Sequence, residues 1–248
     1  MELKRFFEEN PKVALAFSGG VDSVYLLYAA LEHGAQVKAY YVKTAFQPQF
    51  ELEDAIRAAK ELDAEMEVLE LDVLCHAVIA ENPANRCYHC KKQIFGTILA
   101  AAARDGFPVL LDGTNASDDA SDRPGMKALA ELQVRSPLRE CGLTKAEIRR
   151  WSKEAGLFTH DKPAYACLAT RIPSGEVITA EKLRRTEAAE GFLTNLGFRD
   201  FRVRSREDVA KLQLREADLP KFLELRPRIL EELKQYYSTV VLDLEVRV

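Results

Sequence analysis

The feature that most constrains the fold of this chain is an apolar run that passes through a short glycine-containing turn into a helical pattern. Residues 13–17 (VALAF) are apolar enough for a buried strand, and residues 24–31 (VYLLYAAL) have the spacing of a helix. The turn between them reads Ser18-Gly19-Gly20-Val21-Asp22-Ser23. Glycines let backbone N–H groups approach an anion, and a helix begins with partial positive charge. The segment therefore predicts a phosphate site at the start of this helix.

This turn differs from two well-known phosphate loops. It lacks the Gly-Lys-Ser/Thr of the Walker loop and the glycine spacing of the dinucleotide fingerprint. It resembles the PP-loop of ATP pyrophosphatases, which cleave ATP between its α and β phosphates; a glycine-rich structural turn is the alternative. The resemblance implies that Asp22 holds magnesium on the departing pyrophosphate, because Mg²⁺ prefers carboxylate and phosphate oxygens. It implies ATP contacts at Ala16, Phe17, Ser18, Gly19, Gly20, Val21 and Ser23.

Strand and helix patterns alternate over the first two-thirds of the chain, which predicts a parallel sheet covered by helices on both faces. Ligands bind at the carboxyl ends of the strands in such α/β sheets. Tyr41, Gly113, Thr114 and Asn115 lie where two predicted strands end, so we expect them beside the turn. The predicted strands are 13–17, 37–42, 66–71 and 109–111; the predicted helices are 22–33, 50–62, 92–104 and one that starts near 143 with a capping box, Thr144 and Glu147.

The pattern changes after Arg171, where residues 172–175 (IPSG) have the composition of a linker. We therefore predict two domains, residues 1–171 and residues 172–248. The second is expected to be a small α+β domain, with helices at 180–196 and 220–236 and strands at 201–204, 210–214 and 239–246.

Charge and hydropathy argue against several classes of function. The net charge is −4, which provides no general basic surface, so we expect no stable nucleic-acid partner. No apolar run approaches the ~20 residues that cross a membrane. The first residues lack the apolar core of a signal peptide. The protein is therefore predicted to be cytoplasmic, with no membrane partner.

Three of the five cysteines form a second informative pattern. Cys87 and Cys90 make a CxxC motif, which alone suits half a zinc site, a redox pair or a cluster site. Cys167 is the remaining candidate, because cations in the neighbouring sequence favour its thiolate; a buried small apolar residue is the alternative. Three cysteines with one open position would suit a 4Fe-4S cluster. Cys75 and Cys141 are expected to be ordinary thiols.

Several motifs together resemble the LarE family of ATP-dependent sulfur transferases, which help to build the nickel-pincer nucleotide of lactate racemase. They are SGGVDS at 18–23, NRCYHCK at 85–91, DGTN at 112–115, RPG at 123–125, RSPL at 135–138 and CLATR at 167–171. The likeness covers nearly the whole chain. It implies a pyridinium dicarboxylate mononucleotide as substrate. A carboxylate attacks the α-phosphate of ATP, pyrophosphate leaves, and a sulfur nucleophile displaces AMP to give a thiocarboxylate.

The sulfur source differs between two branches of that family. In one branch the cysteine that matches Cys167 gives up its own sulfur and becomes dehydroalanine. In the other, three cysteines hold a 4Fe-4S cluster that passes on a cluster-bound sulfide, which a separate sulfur donor would resupply. This chain has Cys87, Cys90 and Cys167, so we expect the cluster branch. The family forms hexamers, which implies a homo-oligomer.

Charged residues receive roles by the same resemblance and from their polar surroundings. Glu190 is implied to act as an acid/base or to bind magnesium. Gln213 stands where the family leads us to expect glutamate. The basic residues expected to bind ATP or substrate phosphate are Arg123, Arg135, Lys162, Arg171, Arg202, Arg204 and Arg247. A salt bridge on the protein surface is the alternative for such residues.

Two other classes of function stay open. A PP-loop enzyme could instead thiolate tRNA, or could carry out glutamine- or ammonia-dependent ligation. The chain shows no basic face for RNA, and a ligase would not need three such cysteines. A non-enzymatic ATP- or metal-binding regulator would release no pyrophosphate with any carboxylate substrate.

Overall fold

A computed structural model describes residues 2–118 and 124–247 of the protein. The helices, in chain order, are α1 (Leu3–Glu9), α2 (Val21–Glu32), α3 (Gln49–Glu61), α4 (Ala77–Ala80), α5 (Arg86–Arg104), α6 (Pro124–Glu131), α7 (Pro137–Glu140), α8 (Lys145–Glu154), α9 (Ala180–Asn195) and α10 (Leu219–Leu233). The strands are β1 (Lys12–Ala16), β2 (Gln36–Lys43), β3 (Glu65–Glu70), β4 (Val109–Leu111), β5 (Arg202–Arg206), β6 (Val209–Gln213) and β7 (Thr239–Leu242). Among these residues, no helix is both long and apolar enough to cross a membrane.

The chain forms two compact units, and their boundary differs from the predicted one. Residues 1–73 and 85–164 make the first unit, and residues 74–84 and 165–248 make the second. The predicted linker is bonded to the 74–84 segment, because the side-chain amide of Asn82 donates to the carbonyls of Ile172 (3.3 Å) and Pro173 (2.7 Å). The N–H of Ile178 also donates to the Ala80 carbonyl (2.8 Å). These bonds place the 74–84 segment and the linker in the same unit.

The first unit is built on a four-stranded sheet in the order β3-β2-β1-β4. Each of its strand pairs is parallel, which confirms the predicted α/β fold class. Alternate residues of β1 face opposite sides: Val13 and Leu15 join one apolar core and Ala14 joins another. Both faces are therefore covered, as expected for a parallel sheet. The carboxyl ends of β1 and β4 consequently open at the same edge.

Two local features of the first unit matter for the site. Helix α5 begins at Arg86 rather than at the predicted residue 92, so the CxxC motif lies in its first turns. Helix α8 begins with the predicted capping box: the Glu147 N–H donates to the Thr144 hydroxyl, and the Thr144 N–H donates to the Glu147 carboxylate. The capping box therefore fixes the residue at which α8 begins.

The second unit is an α+β structure with a three-stranded sheet in the order β5-β6-β7. Strands β5 and β6 are antiparallel, whereas β6 and β7 are parallel. One apolar core, which includes Leu193 of α9, Val203 of β5 and Ile229 of α10, holds the sheet and helices together. Strand β7 ends at Leu242, earlier than predicted, and Arg247 then makes an isolated bridge with Arg215.

Candidate active site

The turn between β1 and α2 is held in shape by its own serines. The Ser23 hydroxyl donates to the Gly20 carbonyl (3.1 Å) and accepts from the Ser18 N–H (3.3 Å). The Ser18 hydroxyl lies 3.1 Å from that of Ser23 and accepts from the Gly20 N–H (3.4 Å). Ser23 is almost completely buried. These bonds preorganise the turn before any anion binds.

Gly19 lets this turn pack directly on α3. Its φ is +70°, which L side chains rarely adopt. A Cβ at this position would lie 2.9 Å from the backbone nitrogen and Cα of Ala55. Both the backbone conformation and the close approach therefore require glycine.

The loop after β4 forms the second wall of the site, as the parallel sheet predicts. The buried carboxylate of Asp112 accepts from the hydroxyls of Thr114 (2.5 Å) and Ser136 (2.6 Å), which closes the loop. A Cβ on Gly113 would lie 3.1 Å from the backbone nitrogen of Ser23. Gly113 thus allows the loop to lie against the first turn of α2.

We expect Gly113→Ala to destabilise the first unit by about 1–3 kcal/mol, because the added methyl overpacks this contact. Urea unfolding measures the change. Gly96→Ala is the matched control: a Cβ at Gly96, inside α5, meets no described atom within 4 Å. The free energy of unfolding of that variant should rise by up to about 1 kcal/mol, because alanine has a higher helix propensity than glycine. Equal stability of the Gly113 variant and the wild type would contradict the close packing.

Asp22 is held by two residues from other parts of the first unit. One carboxylate oxygen accepts from the Asn115 side-chain amide (3.2 Å), and the other accepts from the Lys145 ammonium. Lys145 is the first residue of α8, and its N–H donates to the Ser117 hydroxyl (2.9 Å). Lys145 has no role in the sequence-based prediction, although the capping box marks the start of its helix. The structure thus gives Asp22 a cation as its counter-ion.

A cavity of about 550 Å³ opens beside the turn. Its walls include Ser18 and Asp22 on one side, and Cys87 and Lys91 of α5 on another. Lys91 packs close to α6, since a Cβ on Gly125 would lie 3.0 Å from its Cδ. The cavity therefore combines hydroxyl and carboxylate groups of the turn with an ammonium group and a thiol. Lys91 has no role in the sequence-based prediction.

Ala16, Gly113 and Thr114 also line the cavity. Three of the other predicted contacts, Phe17, Val21 and Tyr41, are less accessible. The Phe17 and Val21 side chains are buried, so these residues offer only backbone groups. Tyr41 is 2% exposed, and its hydroxyl has no hydrogen-bond partner within the described part of the chain. Burial, with a smaller effect of Glu51, raises the pKa of this phenol well above its usual value.

Two basic residues that we predicted to bind phosphate are engaged by carboxylates instead. The Lys162 ammonium lies 3.1 Å from Glu51 and 2.7 Å from Asp54, and it reaches the Gly19 carbonyl at 3.4 Å. Its charge is thus balanced, and it supports the turn through a backbone contact. Arg135 pairs with both oxygens of Glu140. The predicted contact at Arg123 lies outside the described residues.

The three cysteines of interest are divided between the units. Cys87 and Cys90 lie one turn apart on α5, and the Arg86 guanidinium donates to the Cys87 sulfur (3.6 Å). Cys167 belongs to the second unit, where it precedes a short 3-10 turn, Leu168–Arg171. In the part of the chain that the structure describes, no three His, Cys, Asp or Glu side chains form a group that could hold a metal ion.

Glu190 of the second unit does not present a free carboxylate. One oxygen accepts from Arg171 Nε (2.7 Å) and the Val203 N–H (2.9 Å). The other accepts from Arg171 Nη2 (3.1 Å) and the Tyr165 hydroxyl (2.5 Å). Burial, then the Glu190 charge, raises the pKa of Tyr165, so its hydroxyl stays a donor. This geometry does not fit the implied role of Glu190 in acid/base chemistry or magnesium binding.

The remaining predicted arginines gather in the second unit. Burial lowers the pKa of Arg202 and Arg204, and the positive charges of Arg171 and Arg247 lower it further. Arg204 Nε donates to the Gln213 side chain (2.8 Å), while Arg247 lies 3.1 Å from Asp200. Gln213, which replaces the expected glutamate, thus orients Arg204 without neutralising it.

A groove of about 570 Å³ borders this arginine group. Its walls include Arg171, Arg204, Arg206 and Lys211. Of these, Arg171 is paired with Glu190 (2.7 Å) and Lys211 is paired with Asp243 (2.7 Å). The groove is consequently a second candidate binding site, suited to a phosphate or a carboxylate.

The chain is similar to several known proteins. A family model described as "Queuosine biosynthesis protein QueC" matches residues 12–84. The chain is 33% identical over 236 residues to pyridinium-3,5-bisthiocarboxylic acid mononucleotide synthase of Lactiplantibacillus plantarum, and the match covers 94% of this chain and 86% of that protein. It is 36% identical over 250 residues to uncharacterized protein slr1717 of a Synechocystis species, covering 98% and 92%. It is 28% identical over 193 residues to tRNA-specific 2-thiouridylase MnmA of a Thermotoga species, covering 61% and 54%.

Proposed function

Because the chain belongs to the family of pyridinium-3,5-bisthiocarboxylic acid mononucleotide synthases, the LarE family, we propose that it uses ATP to make a thiocarboxylate from a pyridinium dicarboxylate mononucleotide. The product would serve a nickel-pincer nucleotide. The observation that carries the proposal is the cavity at the start of α2, where Cys87 shares the walls with Ser18 and Asp22. A thiol beside a phosphate-binding turn suits ATP-dependent sulfur transfer.

The phosphates of ATP are assigned to the turn at residues 18–23, where backbone N–H groups and the first turn of α2 favour an anion. Asp22 offers the carboxylate for magnesium, and Asn115 already orients that carboxylate. A bound magnesium ion would neutralise phosphate charge and replace Lys145 as the counter-ion of Asp22. The Lys145 and Lys91 ammonium groups are then available for phosphate oxygens.

The phosphate of the mononucleotide substrate is assigned to the second unit. Arg202 and Arg204 lie within electrostatic range of Arg247, and burial disfavours the charges of Arg202 and Arg204 unless an anion is bound. Arg204 also lines the groove. Arginine binds phosphate through two parallel N–H groups, so this arrangement provides affinity and orientation.

The proposed reaction has two stages. A substrate carboxylate oxygen attacks the α-phosphorus of ATP; the bond from that phosphorus to the bridging oxygen breaks, and pyrophosphate leaves with the electron pair. The acyl carbon of the resulting adenylate is then attacked by a sulfur nucleophile, and its bond to the AMP oxygen breaks. AMP leaves with that electron pair. Adenylation is necessary because an oxide ion is a very poor leaving group, whereas AMP is a good one.

For the sulfur source we propose the cluster branch, with Cys87, Cys90 and Cys167 as ligands of a 4Fe-4S cluster. The support is that Cys87 and Cys90 lie one helical turn apart, a spacing at which two side chains share a face. When bound, such a cluster would present sulfide at its open iron. Thiols that must stay reduced also favour a cytoplasmic location, and by family resemblance we propose a homo-oligomer.

The function is tested with Mg²⁺, ATP and pyridinium-3,5-biscarboxylic acid mononucleotide. We expect release of pyrophosphate and AMP, with replacement of a substrate oxygen by sulfur seen by mass spectrometry. A parallel reaction with unmodified tRNA tests the alternative that the similarity to MnmA raises. Thiolated tRNA without thiocarboxylate would overturn the proposal, as would the absence of pyrophosphate with either acceptor.

The sulfur source is tested by anaerobic reconstitution with iron and sulfide. We expect broad visible absorption from thiolate–iron charge transfer, and we expect Cys87→Ala to abolish it. An unchanged spectrum in that variant would contradict the ligand set. Mass spectrometry of the protein after one turnover is the second measurement: conversion of Cys167 to dehydroalanine would replace the cluster proposal by the sacrificial one.

A further inference from the structure

The carboxylate of Glu190 lies at the centre of a buried network in the second unit. It accepts four hydrogen bonds, two on each oxygen, from Arg171, Tyr165 and the Val203 backbone. The side chains of Arg171 and Glu190 are 0% and 5% exposed. An ionised carboxylate has about four lone-pair positions, so these donors occupy its accepting capacity. Proton transfer or metal binding at Glu190 would require one of these buried bonds to break.

The same network reaches the backbone on both sides of Cys167. Arg171 Nη1 donates to the Ala166 carbonyl (3.0 Å) and to the Thr170 hydroxyl (2.8 Å). The Thr170 hydroxyl in turn donates to the Cys167 carbonyl (2.8 Å), as does the Thr170 N–H (2.9 Å). The peptide groups adjoining Cys167 are therefore connected, through one guanidinium, to a buried carboxylate on α9.

Tyr165 adds a third attachment. Its hydroxyl bonds to Glu190, and its ring lies 4.7 Å from the Arg171 guanidinium. The start of the segment (Tyr165), its middle (the Ala166 and Cys167 carbonyls) and its end (Arg171) thus converge on one ion pair. A loop of this length without such attachments would sample many backbone conformations.

We propose that Glu190, Arg171 and Tyr165 are positioning residues that fix the Cys167 segment for sulfur transfer. The inference rests on the proposed function, since it gives Cys167 a part in the second stage. Whether Cys167 is a cluster ligand or the sulfur donor, its sulfur must hold the reacting group within a fraction of an ångström of the productive position, and a displacement of 1 Å can cost about 100-fold in rate. The network supplies this constraint without touching the reacting atoms.

The test uses Tyr165→Phe, which removes one donor and keeps the ring. Tyr236→Phe is the matched control, because the Tyr236 hydroxyl also bonds to a glutamate, Glu232 (3.0 Å), elsewhere in the second unit. We expect the Tyr165 variant to lose about 10- to 100-fold in thiocarboxylate formation. Pyrophosphate release should change less than about twofold, since the ATP groups lie on the first unit. Hydrogen exchange of the 165–171 peptide should accelerate, and the control should match wild type.

Several outcomes would overturn the inference. If exchange accelerates while thiocarboxylate formation stays normal, the network stabilises the fold only. If the Tyr165 variant becomes faster, Glu190 acts as an acid or base that Tyr165 restrains. If the wild-type protein releases no pyrophosphate, the proposed function is refuted. The hydrogen-exchange result would then still report whether the network holds the 165–171 segment.

A second variant guards against the loss of folding. Arg171→Met combined with Glu190→Leu removes both charges of the ion pair and leaves neither one buried alone. Breaking such a pair by removing one partner costs about 3–5 kcal/mol, whereas replacing both is often neutral. The folded double variant should form little thiocarboxylate, and hydrogen exchange of its 165–171 peptide should be faster than in the wild type. Normal thiocarboxylate formation by this protein would contradict the positioning role.

Discussion

Cys167→Ala is expected to abolish thiocarboxylate formation, by at least about 10³-fold, while pyrophosphate release with the carboxylate substrate continues. The groups assigned to ATP, including Ser18 and Asp22, belong to the first unit, whereas Cys167 belongs to the second. Both sulfur routes need this thiol, either as a donor or as a cluster ligand. Adenylation requires neither a sulfur donor nor a cluster. The effects on the two stages are separated by quantifying pyrophosphate and the thiocarboxylate in the same reaction.

The control for this variant is Cys141→Ala. Cys141 packs against the apolar core of the first unit, and burial raises the pKa of its thiol, so it is a poor nucleophile. The Cys141→Ala variant should carry out both adenylation and sulfur transfer at the wild-type rate. Full thiocarboxylate formation by Cys167→Ala would refute both sulfur routes. Loss of pyrophosphate release would show instead that Cys167 is required before sulfur transfer.

Gly19→Ala is expected to have the second-largest effect, a loss of ATP affinity of at least about 100-fold, equivalent to roughly 2.7 kcal/mol. The new Cβ would lie 2.9 Å from the Ala55 backbone at a φ of +70°, so the turn must move away from α3. Its N–H groups would then no longer face the phosphates. Isothermal titration with ATP and magnesium measures the affinity.

Gly34→Ala isolates the contribution of backbone strain. Gly34 has a φ of +74°, but a Cβ there meets no described atom within 4 Å. We expect this control to lose about 1–2 kcal/mol of stability and to bind ATP normally. If Gly19→Ala also binds ATP normally, residues 18–23 form a structural turn rather than a nucleotide site.

The fold of the first unit could be predicted because its signals are local. Alternating apolar strands and helices indicate a parallel sheet, and the sheet brings Gly113 and Asn115 to the turn. The boundary of the second unit could not be predicted in this way. It depends on bonds between Asn82 and Ile172, residues 90 positions apart whose pairing leaves no local pattern.

The charged residues of the site show the same limit. The sequence shows that Lys162 and Arg135 are basic, but not that Glu51, Asp54 and Glu140 take up their charges. It shows Asp22 at the start of a helix, but not that Lys145, 123 positions later, reaches it. Side-chain pairing of this kind depends on the assembled fold. Residue type alone therefore overestimates how many cations are available to phosphate.

The placement of residues 74–84 in the second unit affects how the protein can be dissected. The polypeptide passes from one unit to the other three times, so no single cut separates them. A fragment that ends at residue 164 would carry Asn82 without the Ile172 and Pro173 carbonyls to which it donates. An independently folding ATP-binding fragment would need residues 74–84 removed and a short artificial connection from Val73 to Asn85. Simple truncation should instead give an aggregation-prone product with exposed apolar residues such as Ile79.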